Sequence, residues 1–218
     1  MSDVNVQLVR EFFELNGFRV MTYWQHDTVR PRAPDHGLQL FVENGAPAGP
    51  RPSEFVLQVG DVAGVTHALV EVRAWHADRF YASVIQSNPV LFEVASEESL
   101  ARARDALGSP DLCTILVVSE LPMSGEARRR AVALLEDGGI SHIIEFPTVL
   151  HEILGKISAG VSYAPSHTLQ TLRLLKRYGF VRRQQLEFKF PTEPPVPTVA
   201  PPVDTADAPE AVDEEELF

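Results

Sequence analysis

Val56-Leu57-Gln58-Val59-Gly60-Asp61-Val62-Ala63-Gly64 leads, after Val65 and Thr66, into His67-Ala68-Leu69-Val70-Glu71-Val72-Arg73-Ala74, and this stretch decides the fold of the chain. Both halves are rich in β-branched and aliphatic residues, which predicts strands over 54–60 and 68–74 joined through Gly64-Val65-Thr66-His67. An Asp lies at the end of the first strand, and ten residues later an E-x-R triplet lies in the middle of the second. In an antiparallel hairpin, Asp61 and Glu71 can meet across the sheet. Glu71 and Arg73, two apart, project from the same face. Two converging carboxylates make an oxygen-rich site suited to Mg²⁺, and a cation beside them would hold an attacking water or stabilise developing charge. The same residues also read as a polar pair on the exposed face of a hairpin, with Asp61 in a turn.

Upstream of this stretch, Val4, Leu8, Phe12 and Leu15 recur three or four apart and predict a helix over 4–16, stopped by Asn16-Gly17. A strand is predicted at 18–24, then a polar loop over 25–36 carrying Pro31 and Pro34, a strand at 37–43 and a Gly/Pro-rich loop over 45–53. Downstream the period changes. A helix is expected over 77–86, stopped by Asn88-Pro89, and a second from the N-cap Ser96 to Leu107, closed by Gly108 and Pro110. The unbroken apolar run 112–118 (LCTILVV) marks a strand buried on both faces. Ser124 caps a helix over 125–136 that ends at Gly138-Gly139, and a strand follows at 140–146, which makes a βαβ unit. Helices over 148–157 and 166–178 complete the body.

This order of elements, with the Asp61 and Glu71-Val72-Arg73 constellation on it, resembles the PD-(D/E)XK nuclease superfamily, the restriction-endonuclease-like α/β fold, over residues 4–146. The resemblance implies a central mixed sheet flanked by helices and a metal-dependent, DNA-processing activity that hydrolyses phosphodiesters. It implies that Asp61 and Glu71 bind Mg²⁺, that the carbonyl of Val72 contributes, and that an acid on the first helix, Glu11 or Glu14, assists. Arg73 falls where the family carries the lysine that orients the nucleophile. Gly60 stands where the family's proline would be, and the planar, permanently charged guanidinium of Arg73 is not equivalent to an ammonium. A catalytically silent adaptor or assembly protein is therefore the second functional reading.

The net charge of −11 argues against a polyanionic partner, but its distribution is uneven. Eight acids and no Lys or Arg fall in 190–218; without them 19 basic residues face 22 acids. A near-neutral body of 1–189 can still bind DNA through a basic patch, and Arg173, Lys176, Arg177, Arg182 and Arg183, interleaved with Tyr178 and Phe180, form one. Arg128-Arg129-Arg130 is a shorter second. From residue 191 onward seven prolines fall among Thr, Val, Ala and acids, which predicts a disordered tail over 190–218. Within it Asp213-Glu214-Glu215-Glu216 precedes Leu217-Phe218, which reads either as a solubilising tail or as an apolar pair that anchors a protein partner while the acids meet a basic rim. Cys113 is the single cysteine, the seven histidines lack ligand spacing, and no Walker or G-x-S-x-G motif is present. His76, just past the E-x-R strand, reads as a capping or surface histidine, or as one that could reach the proposed site. With no secretory signal or membrane-length apolar run in the sequence, a cytoplasmic location is expected.

Overall fold

The computed structural model describes residues 3–22, 39–46 and 49–181. They belong to a compact unit, Met1–Arg182; a second unit, Arg183–Phe218, lies outside the described residues. Five strands form one mixed sheet in the order β1 (Phe18–Thr22), β2 (Gln39–Asn44), β3 (His67–Arg73), β4 (Cys113–Val118) and β5 (His142–Glu145). The first three are antiparallel, and β3, β4 and β5 run parallel.

Strand alternation divides the interior into two cores. Ala68, Val70, Val72, Ile115 and Val117 face one, and Leu69, Phe41, Leu116 and Val118 face the other. Both faces of β4 are buried, as the unbroken apolar run predicts. The first core is closed by α1 (Asp3–Leu15) and α5 (Phe146–Lys156), with α6 (His167–Arg177) packed outside them. Phe12 and Phe13 of α1 are fully buried in it, each worth roughly 1.5–3 kcal/mol of apolar transfer. The second core is closed by α2 (Ala82–Ser87), a 3-10 segment (Pro89–Ala95), α3 (Glu97–Leu107) and α4 (Gly125–Asp137).

The helix-start signals act as their chemistry dictates. Ser96, Ser124 and Ser166 each accept an amide hydrogen bond three residues on, from Ser99, Ala127 and Leu169. Gly108 closes α3 in the left-handed conformation at φ 61°. The strand from β4, the helix α4 and β5 form the parallel crossover read from the sequence.

Three expectations are corrected. Residues 54–60 are not a strand of a hairpin with β3: only Val56 makes a bridge, and it pairs in parallel with Ile143 at the β5 edge. Alternation specifies which face a side chain takes, not which neighbour a segment selects. The partner of β3 is instead β2. The helix expected over 77–86 begins only at Ala82, because the amide of Phe80 is drawn to the carbonyl of Glu120 at 2.9 Å and its ring stacks on Trp75. The last strand stops at Glu145, and α5 starts at Phe146 with Pro147 in its first turn. No helix among the described residues is long and apolar enough to cross a membrane. The loop over 25–36, the tail, Arg182, Arg183, Leu217 and Phe218 lie outside the described residues.

Candidate functional site

Glu71 and Arg73 do share a face, and they are buried rather than exposed. Their side chains are 1% and 3% accessible, which excludes a polar pair on an open sheet. Glu71 Oε1 accepts from Arg73 Nε at 2.6 Å and Nη2 at 2.5 Å. Its second oxygen accepts from Gln39 Nε2 at 3.0 Å. Gln39 stands directly opposite Glu71 in the β2–β3 register, and its amide lies 3.5 Å from the hydroxyl of Ser99 on α3. Burial pushes the Glu71 carboxyl above its ordinary range, against the lowering influence of Arg73 and the hydrogen bond from Gln39.

Asp61 stands elsewhere, and the hairpin that would have joined it to Glu71 does not exist. It opens a 3-10 turn, Asp61–Gly64, in the loop ahead of β3. Its Oδ2 accepts from the amide of Gln58 at 2.8 Å, closing its own turn. Asn44, at the far end of β2 from Gln39, holds this turn by donating to the carbonyls of Ala63 and Val65. Glu71 lies four residues beyond the first residue of β3, a rise of about 13 Å. The two carboxylates are therefore at different levels of the sheet.

Glu11 is buried at 1% accessibility, but on α1, across the sheet from Glu71. Its Oε1 accepts from Gln7 Nε2 at 2.7 Å and from the hydroxyl of Ser166, while Oε2 has no hydrogen-bond partner among the described residues. It ties α1 to the N-terminus of α6, where the helix dipole favours a carboxylate. Glu14 pairs with Arg10 on the surface of the same helix. Among the described residues no group of three or more His, Cys, Asp or Glu could hold a metal ion. Among the described residues, the donors around Glu71 do not fit Mg²⁺. Both oxygens of Glu71 are taken by a guanidinium and an amide, and the position facing it carries a neutral glutamine.

The basic patch is also partly spent. Lys176 Nζ donates to the carbonyls of Leu154 and Ile157 at 2.7 and 2.6 Å, capping the end of α5. Arg173 Nε donates to the carbonyl of Ala159. Arg177 remains exposed on α6, followed by Tyr178 and Phe180, which are 70% and 79% accessible. In the shorter run, Arg128 is held by Glu145 at 2.6 Å and Arg130 by Glu126.

His76 does not join Glu71. It borders a cleft of about 330 Å³ formed where the chain leaves β3, β4 and β5, the carboxyl-end position at which open α/β sheets commonly hold ligands. The cleft is lined by His76, Asp78, Arg79, Glu120, Phe146 and Leu150 among others. Asn5 of α1, buried, donates through Nδ2 to the carbonyl of Ala74, so its Oδ1 faces His76 Nε2 at 3.2 Å. An amide oxygen only accepts, so Nε2 carries the proton and Nδ1 of the neutral ring is an acceptor. The ring also packs edge-on against Phe146 at 4.7 Å. Arg79 Nε donates to Glu120 Oε2 at 3.0 Å, and the buried hydroxyl of Ser119 fixes the carbonyl of Asp78 at 2.8 Å.

Sequence reasoning missed Gln39, Asn5, Asp78, Arg79 and Glu120. Only the β2–β3 register points to Gln39, and nothing in local spacing brings residues 5, 76–79, 120 and 146 together. The chain matches no protein-family model, no curated protein and no solved structure.

Proposed function

We propose that this chain is a non-catalytic adaptor or assembly protein built on a nuclease-like α/β scaffold. The observation that carries this reading is the environment of Glu71. Its charge is neutralised by Arg73 within a buried pair, and the residue facing it across the sheet is Gln39, not a second carboxylate. A hydrolytic Mg²⁺ site needs anionic oxygens open to the ion and to water, whereas this arrangement is a closed polar contact beneath α3. The ancestry is supported by the order of elements, one helix and three antiparallel strands followed by parallel crossovers, with the E-x-R triplet on the third strand. Partner engagement is assigned to the acid-rich segment with Leu217 and Phe218, whose composition suits an apolar pocket with a basic rim.

The test is a cleavage assay on single- and double-stranded DNA with Mg²⁺ and with Mn²⁺. The full chain is expected to cleave neither. The adaptor reading is overturned by metal-dependent cleavage that disappears in Glu71→Gln while the variant stays folded. Gln39→Asp supplies a positive control for the geometry. Directly opposed residues have Cβ atoms about 4.5–5.5 Å apart, so this substitution, combined with Arg73→Lys, is expected to create Mn²⁺ affinity that the native chain lacks.

A further inference from the structure

We propose that the cleft at the carboxyl ends of β3, β4 and β5 binds a primary ammonium carried on a short apolar stem. The proposal does not depend on the adaptor reading, since it uses none of Gln39, Glu71 or Arg73.

Acceptors outnumber donors in the cleft. Asp78 offers an exposed carboxylate, His76 offers Nδ1 once Asn5 has claimed Nε2, and Glu120 has one oxygen left beyond its bond to Arg79. Among the described lining residues the single cation, Arg79, is already directed at Glu120, so these side chains sum to a net negative charge at neutral pH. A ligand group that only donates and bears positive charge fits this set, and an ammonium with three donors fits it best. A phosphate or carboxylate would be repelled by the two carboxylates of this lining. The lining also has apolar members, Leu150 and, beside His76, Phe146, which suit a methylene stem.

Two features make the acceptors fixed rather than incidental. His76 is oriented by a buried asparagine and by the edge of Phe146, and the loop carrying Asp78 is held by Ser119 and by the Phe80 amide bond to Glu120. The shared chemistry covers a free alkylamine and the side chain of a lysine presented by a polypeptide.

The experiment is a titration of the isotopically labelled full chain with n-butylammonium, followed through the amide signals of His76, Asp78, Arg79, Ser119 and Glu120. Saturating shifts confined to these residues are expected, with none from butyrate at the same concentration. Asp78→Asn removes a carboxylate charge at an exposed position and should weaken binding by about three- to fivefold, as for a partly solvated ion pair. No shifts at tens of millimolar amine, equal shifts from butyrate, or unchanged binding in Asp78→Asn would each overturn the proposal. Tighter binding of an acetylated lysyl tripeptide than of butylammonium assigns the site to a protein side chain; the reverse order assigns it to a small amine.

Discussion

Replacing Arg73 with Met should destabilise the protein in a way that depends on pH, and the structure sets both the size and the sign. Arg73 gives the Glu71 carboxylate a hydrogen bond from Nε and an ion-pair contact from Nη2, and both side chains are almost fully buried. Removing one partner of such a pair leaves an uncompensated charge and typically costs about 3–5 kcal/mol. For a unit of this size that corresponds to a fall of roughly 6–20 °C in Tm. Burial already holds the Glu71 carboxyl above its ordinary value of 4.5 despite the guanidinium. The folded state therefore keeps this proton to higher pH than the unfolded chain does. The contribution of Glu71 to stability is full below pH 4.5 and declines as pH rises from there through its raised folded value. Without Arg73 the folded value rises further, so the penalty should be small near pH 4.5 and grow toward pH 8. Glu71→Leu combined with Arg73→Met removes both charges, and is expected to lie within about 1 kcal/mol of the native chain or above it, with that pH slope gone. Urea and thermal unfolding by circular dichroism, in steps from pH 4.5 to 8, measures all three proteins. A single-variant penalty below about 1 kcal/mol at pH 7.5, or one that does not vary with pH, would refute the reasoning.

Two further outcomes are expected. Ser166→Ala removes the N-cap of α6 and its bond to Glu11, costing about 1 kcal/mol; hydrogen exchange should accelerate in α6 before it does in the sheet, and uniform acceleration would count against it. Cys113 donates to the carbonyl of His67, and burial pushes its thiol up to about 11; at pH 8 its alkylation should run about a hundredfold slower in the folded chain than in urea, and equal rates would contradict the burial.

Local chemistry, legible in the order of residues, determined most of the elements here. Ser96, Ser124 and Gly108 announce helix ends because caps act within one turn. The run around β4 announces a strand buried on both faces because all but one of its side chains are apolar, with no alternation to leave one face to water. The shared face of Glu71 and Arg73 follows from the two-residue period of any strand. What those residues do was decided only by tertiary structure. Whether 54–60 pairs with β3 or with β5, and whether Asp61 or Gln39 faces Glu71, depends on which edge a segment meets, and alternation carries no information about edges. The same holds for the cleft: Asn5, His76, Glu120 and Phe146 converge because three parallel strands end at one level, a juxtaposition made by packing across more than a hundred residues of chain.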